Sequence, residues 1–479
     1  MERVLEGLKP EKVFYYFEEI TRIPRSSGNE KQVSDYLYNL ANIKGWEVIQ
    51  DNALNIIIKK PATPGYENSP AVMLQGHMDM VCEKNEGVVH DFEHDSIKLR
   101  IIDNCIYGTG TTLGADNGIA VAMALAVLDS DDLEHPSLEV LITTDEEVGM
   151  TGAQKVDGSI FKSKYLLNLD SEDEGVFTSG CAGGCEILFK IPVKFQKVEN
   201  KTAYKLTVKG LLGGHSGVDI KKERGNANKI LGRVLYDIVD DTDLVSINGG
   251  SKTNAIPREA NAIITTDKID VIKNKLELWN DIIKNEFSFA DPSVCVLIEQ
   301  INVEETPMEK QLYKKVVAAI NVIPSGILSS STVLDLVISS NNLGVIKTEN
   351  NYICLYNNSR SSVETLLTHG FAPAMKQLAD ALEIECEIGG YYPGWEYVKN
   401  SAIRDLCIET YRDIYKKEPH VEAIHAGLEC GLLIKKIEGL DAISLGPDAR
   451  DAHSPNEHIN IQSIKNTYNL ICEILKRIR

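Results

Sequence analysis

Nowhere does the sequence carry the ~20 consecutive apolar residues that a membrane-spanning helix needs, so no membrane partner is expected. Its first residues, MERVLEGLKPEKVF, lack the basic segment and apolar stretch of a secretory signal, and a cytoplasmic location is expected. An excess of basic charge is missing too. With 50 Lys and Arg against 70 Asp and Glu, the formal net charge is -20, a field that repels phosphates and argues against a nucleic-acid partner. Acidic runs such as Asp129-Ser130-Asp131-Asp132 read as solvated loop. The ten cysteines show no disulfide-framework spacing, and a chain of 479 residues needs no covalent staples. Cys181 and Cys185 stand too far apart for a redox C-x-x-C, and no second pair completes a sulfur zinc site. No phosphate-cradling glycine loop accompanies the carboxylates, which speaks against a two-metal phosphoesterase.

What is present describes a globular protein: 43% hydrophobic and 25% charged residues, with length for two or three domains. Apolar residues recur at helical spacing over Glu11–Thr21 and Lys31–Ile43. Strand-like runs follow at Trp46–Ile49, Asn55–Lys59 and Ala71–Gln75, then an Ala-rich helix at Gly118–Leu128 and strands at Glu139–Thr144 and Tyr165–Leu169. The pattern resumes with a helix at Ser401–Tyr415, a strand at Asp441–Leu445 and a helix at Gln462–Ile478. Strands alternating with helices predict an α/β sheet domain. From 187 to 390 the texture differs, with strands predicted at Tyr204–Lys209, Leu244–Ser246, Ala260–Thr266, Val294–Glu299 and Tyr352–Tyr356, and a helix at Asn226–Asp240. Segments 244–267 and 336–358 share a strand–Asn/Gly turn–strand layout that would suit an internal duplication. The expected architecture is a mixed-sheet α/β domain split into 1–186 and 391–479, interrupted by an α+β domain at 187–390.

Acids and histidines cluster where predicted strands end. His77 and Asp79 follow the third strand, and Asp116 sits in the turn Gly114-Ala-Asp-Asn-Gly118. Glu146 and Glu147 follow another strand, Asp170 ends the next, and His453 follows the last by a Gly-Pro loop. One such residue is an ordinary solvent-facing loop residue. Several at the carboxyl edge of an α/β sheet, where ligands bind, predict a metal site. Imidazole and carboxylate without thiolate suit zinc, with manganese or cobalt admissible. Five ligands exceed the needs of one catalytic zinc but fit two ions if one carboxylate bridges, and Asp116, aimed by its tight turn, is the natural bridge. Asp79, two residues past His77, can hold the imidazole ring N–H. Glu146 and Glu147, if extended, point opposite ways, so that one binds metal and the other serves as proton acceptor.

Gln75-Gly-His-Met-Asp-Met-Val81, Gly114-Ala-Asp-Asn-Gly118, Thr144-Asp-Glu-Glu-Val-Gly149, Asn168-Leu-Asp170 and His453-Ser-Pro-Asn-Glu457 together resemble the co-catalytic zinc peptidases, a family of carnosinases, tripeptide aminopeptidases, aminoacylases and glutamate carboxypeptidases. Ile23-Pro-Arg-Ser-Ser-Gly28, Leu211-Leu-Gly-Gly-His-Ser-Gly217 and His425-Ala-Gly-Leu-Glu-Cys-Gly431 point within it to the branch that cleaves Xaa-His dipeptides such as carnosine. The resemblance implies two zinc ions per chain, one on His77, Asp116 and Asp170, the other on Asp116, Glu147 and His453. It makes Glu146 the general base, gives Asp79 an orienting role, and implies a cis peptide bond at Asp116–Asn117.

The resemblance also implies that the inserted domain is a lid through which two copies form a homodimer. His215 of this lid would reach across the dimer to the scissile carbonyl oxygen. Arg360 would hold the terminal carboxylate of a dipeptide, as a bidentate guanidinium can. Asn254 either helps bind that end or makes a turn. His425 and Glu429, four apart, share a face if their segment is helical, and either support the substrate amino terminus or pack behind the ligands. A tripeptidase, an N-acyl amino acid deacylase and a non-catalytic metal- or peptide-binding protein are the rival readings.

Overall fold

The computed structural model describes residues 3–196, 201–303, 305–332, 336–349 and 351–479, which form two compact units. The first comprises Met1–Gly180, Tyr397–Ala423 and Leu428–Arg479, and the second Cys181–Glu396 with Ile424–Gly427. The chain leaves the first unit about six residues before the expected 186, returns about six after 391, and lends a short stretch back to the second unit. Composition does not mark the crossings at 180–181 and 423–424, because strands Val176–Cys181 and His420–Ile424 run through them.

Among the described residues of the first unit, an eight-stranded sheet runs 47–50, 56–60, 138–143, 72–77, 165–168, 441–444, 176–181, 420–424. Its four central neighbours, Leu138–Thr143, Val72–His77, Tyr165–Asn168 and Asp441–Ser444, are mutually parallel. Val72–His77 and Leu138–Thr143 are buried throughout, as strands covered on both faces must be. Parallel pairing brings their carboxyl ends to one edge.

Helix Glu11–Thr21 turns Val13, Phe14, Phe17 and Ile20 into the core at helical spacing. Helices Ala402–Tyr415 and Ile461–Arg477 start at Ser401 and Asn460, whose side chains accept the N–H groups of Arg404 and Ser463. Helix Ala115–Leu128 is apolar all round and buried along nearly all of its length. It packs so near strand Val72–His77 that a Cβ on Gly76 would come within 2.6 Å of Ala120 Cβ, so glycine is required there. A small four-stranded sheet includes the paired strands Ala449–Arg450 and His458–Asn460, whose connecting loop carries His453.

The second unit is α+β. Among its described residues, a nine-stranded sheet runs 295–301, 202–209, 260–266, 243–249, 336–349, 352–361, 183–192, 385–392, with 326–331 paired to 336–349. Helices Ala227–Ile238, Ile269–Glu286, Lys310–Val322 and Ala372–Leu382 contribute buried residues to its core. The two segments of similar layout are antiparallel pairs, 243–249 with 260–266 and 336–349 with 352–361, and they meet at Gly249 and Ile346.

Candidate metal centre

The carboxyl edge of the parallel strands gathers the predicted acids and histidines within the first unit. His77 ends its strand at 1% exposure. Asp116 enters from the turn before the buried helix, and its peptide bond to Asn117 is cis. Its two carboxylate oxygens face different partners. Oδ1 lies 3.1 Å from His77 Nε2, and Oδ2 lies 3.1 Å from His453 Nε2. Asp170 Oδ1 stands 3.5 Å from His77 Nε2, and Glu147 reaches His453 Nε2 at 2.9 Å. His77, Asp116 and Asp170 therefore form one group whose ligand atoms lie within 4.8 Å of one another; Asp116, Glu147 and His453 form a second, with Asp116 common to both. A third combination joins His77, Glu146 and Glu147.

Local backbone chemistry aims these groups. Asp79 is fully buried, with Oδ1 3.3 Å from His77 Nδ1. The same carboxylate accepts the N–H groups of Glu146 (3.1 Å) and Glu147 (3.3 Å) and the Ser27 hydroxyl (2.8 Å). Those two amide bonds cap a helical turn, Glu146–Gly149, so the two glutamates are helical rather than extended. Consecutive residues on a helix still diverge by about 100°. Asn117 accepts the His77 N–H and donates to the Leu169 carbonyl, tying two strand ends together. His453 has φ 61°, a left-handed conformation that costs a non-glycine residue about 1–2 kcal/mol and turns its imidazole toward Asp116.

The electrostatics are those of crowded carboxylates seeking positive charge. Burial, with Asp170, Glu429 and Glu147 close by, pushes Glu146 well above the usual carboxylate range. Burial likewise raises Asp170 and Glu147. Asp116 moves the other way: burial opposes ionisation, but His453 and His77 hold it below the usual range. Hydrogen bonds from Asp116 and Glu147 raise His453 to about 11. Burial would lower His77, yet Asp170, Asp116 and Asp79 raise it well above its ordinary value.

The supports behind the ligands are only partly legible in the sequence. His425 and Glu429 would share a face only in a helical segment; the helix begins at Cys430, and the two side chains belong to different units. Glu429 is buried beneath the edge, where Thr143 Oγ1 (2.6 Å) and Gln75 Nε2 (2.5 Å) donate to it, and burial raises it to about 7. Gln75 in turn accepts from Asn168 at 2.6 Å, so the network braces three ligand-bearing strands. Arg25 and Glu457 stood inside quoted motifs without a role; the quoted motif was their only signal.

The other predicted residues lie in the second unit. His215 ends strand Gly214–His215, paired with Ala255 of strand Ala255–Ile256, and the exposed Asn254 just before that strand accepts the Ser216 N–H through its backbone carbonyl. The Gly217 and Val218 N–H groups donate to His215 Nδ1, which leaves Nε2 as the protonated nitrogen of the neutral ring. Arg360 Nη2 lies 3.5 Å from that Nε2, and Arg360 Nη1 donates to the Tyr392 hydroxyl at 3.0 Å. Two donors thus converge within one chain, a geometry suited to an acceptor oxygen. His425 Nε2 pairs with Ser340 Oγ at 2.7 Å, and burial, with Arg360 nearby, lowers His425 to about 4.

Residues 73–477 match the sequence profile of peptidase family M20/M25/M40. The chain belongs to that family and is a peptide hydrolase. It is 38% identical to the cytosol non-specific dipeptidase of Escherichia coli (strain K12) over 482 residues, 99% of either protein. The crystal structure of aminoacylhistidine dipeptidase from Vibrio alginolyticus aligns with a TM-score of 0.87 at 36% identity, over 99% of this chain and 98% of that one. Aminopeptidase PepT from Bacillus cereus aligns at 0.56 and 16% identity, over 98% and 99%, a likeness of fold alone. Among the described residues, no helix is long and apolar enough to cross a membrane.

Proposed function

We propose that this chain is a cytoplasmic metal-dependent dipeptidase that takes dipeptides with a free C-terminus, Xaa-His among them. The observation that carries the metal reading is the split of Asp116, one oxygen toward His77 and the other toward His453. The donor set fits: two imidazoles, three carboxylates and no thiolate suit a pair of divalent ions, zinc first and manganese or cobalt next. The surrounding carboxylates hold the pKa of His77 and His453 above the ordinary imidazole value, a surplus of negative charge that cations would also balance. His77, Asp116 and Asp170 would hold one ion; Asp116, Glu147 and His453 the other. Bound there, two ions would polarise the peptide carbonyl and lower the pKa of the attacking water.

The chain's own groups would do the rest. Glu146, buried beside Glu147, Asp170 and Glu429, would in its ionised form take the proton of the attacking water and pass it to the leaving amine; the positive charge of bound ions would offset the burial that raises it. Asp79 orients His77 and caps the turn that separates Glu146 from Glu147. In the second unit, Arg360 holds the dipeptide's terminal carboxylate, His215 donates to the scissile carbonyl oxygen, and Asn254 supports that end. His215 Nε2 and Arg360 Nη2, 3.5 Å apart in one chain, support a shared role at the substrate, whether that substrate lies on the same chain or across the dimer. The dipeptide reading draws on the names of the Escherichia coli and Vibrio alginolyticus relatives, and the location on the former.

One panel tests substrate and end recognition together. Wild type is expected to cleave dipeptides, Xaa-His included, and to leave tripeptides and N-acetyl amino acids largely intact. Arg360→Ala should weaken the dipeptide by the ~1.5–3 kcal/mol of a charge-assisted hydrogen bond while barely changing its C-terminally amidated analogue. Equal losses on both would remove Arg360 from end recognition, and preferred tripeptide or deacylase turnover would replace the dipeptidase reading.

Self-association through the second unit into a homodimer belongs to the same proposal. Helices Ala227–Ile238 and Lys310–Val322 expose Tyr236 at 70% and Val322 at 57% beside Arg233 and Trp279, a face that two copies could bury. Light scattering should return twice the chain mass, and Tyr236→Glu should return it to one. A monomeric wild type would exclude the dimer.

A further inference from the structure

Glu457 takes no part in the reading above, yet its carboxylate, 2% exposed, accepts four consecutive backbone N–H groups. Oε2 receives those of Leu113 (2.7 Å) and Gly114 (2.8 Å), and Oε1 those of Ala115 (2.7 Å) and Asp116 (3.2 Å). These residues are the turn that delivers Asp116. Glu457 itself stands in the hairpin loop that delivers His453. On the carbonyl side of the same turn lies Arg25, also 2% exposed, which donates to the carbonyls of Met78 (2.8 Å), Asp79 (3.0 Å) and Gly114. Gly114 thus gives its N–H to a buried carboxylate and its C=O to a buried guanidinium. A Cβ would lie 2.4 Å from Arg25 Nη2 at Gly114 and 2.7 Å at Gly118, so the turn carries glycine where the guanidinium packs.

A buried carboxylate is costly unless fully hydrogen-bonded, and this one is satisfied entirely by main-chain donors of one turn. Four charge-assisted bonds leave that turn little freedom. Because the carboxylate comes from the His453 loop, fixing the turn also fixes Asp116 against His453, residues 337 apart in sequence whose side chains stand 3.1 Å apart. Arg25 adds the Asp79 loop to the same assembly. We infer that Glu457, with Arg25, is a positioning residue for the metal centre: it holds the shared carboxylate in register with His453 before any ion arrives. This rests on the reading of Asp116 and His453 as metal ligands.

The test is zinc affinity of the folded, full-length chain, measured by competition with a chromophoric chelator. Glu457→Gln keeps the side-chain volume but replaces one acceptor oxygen with an NH2 group, which orphans one pair of turn amides. The affinity of the weaker zinc site should fall about 10–100-fold, the usual loss when a group behind a metal ligand is removed. Arg25→Lys, which cannot span three carbonyls, should weaken zinc in the same direction and serves if Glu457→Gln does not fold. A merely structural role would lower the unfolding temperature while leaving zinc affinity of the folded chain unchanged, and that result would overturn the inference. Asp116→Ala separates the two layers. If it binds zinc as wild type does, the metal reading fails and the inference with it. If it loses zinc while Glu457→Gln and Arg25→Lys keep full affinity, only the inference fails.

Discussion

Glu146→Gln is expected to keep both metal ions and to lose turnover about 10²–10⁴-fold, the usual contribution of a positioned general base. The substitution preserves shape and leaves the backbone N–H that donates to Asp79 in place, so the turn Glu146–Gly149 should persist. What disappears is the proton acceptor. Glu147→Gln is expected to behave differently, because Glu147 reaches His453 Nε2 at 2.9 Å within the group that also contains Asp116. Its loss should lower metal occupancy first and turnover as a consequence. Metal content by mass spectrometry beside single-turnover kinetics separates the two. The reverse pattern, metal lost with Glu146→Gln and retained with Glu147→Gln, would exchange the roles.

Asp116→Ala should have the most severe effect on the site, because one side chain serves both groups of ligands. Metal content is expected to fall from about two ions per chain to one or none, with turnover lost beyond the range of the single glutamate variants. Removing His453 or Asp170 should deprive only one group and leave the other partly filled. Dialysed protein analysed for metal, with circular dichroism to establish the fold, reads the difference. Retention of two ions by Asp116→Ala would dismiss the shared-carboxylate arrangement. A single ion at full activity in the wild-type chain would do the same.

Much of this organisation was legible in the sequence, and for a local reason. The apolar spacing of Val13, Phe14, Phe17 and Ile20 marks helix Glu11–Thr21 at its observed bounds, because helical periodicity depends only on neighbours along the chain. The strands that end near His77, Thr144 and Asp170 were likewise placed to within a residue or two. Since parallel strands share a carboxyl edge, residue type and strand end together forecast that these side chains would meet. The alternation of strands and helices was enough for an α/β class with an inserted α+β part.

Only the tertiary structure decided how the groups meet. That Asp116 turns one oxygen to His77 and the other to His453 depends on packing between segments more than 300 residues apart, which no spacing encodes. The helical turn at Glu146 exists because Asp79, 67 residues earlier, caps it. The spacing of His425 and Glu429 leaves their placement open for the same reason: the crossing between units falls between them, and contact, not composition, defines it. Glu457 was visible as a letter in a motif, but its partners are backbone N–H groups, which every residue except proline possesses and none advertises. Sequence by itself determined which chemical groups this protein has and which strand ends present them. Their mutual orientation was decided by the fold, because main-chain hydrogen bonds and long-range packing leave no periodic trace in the order of side chains.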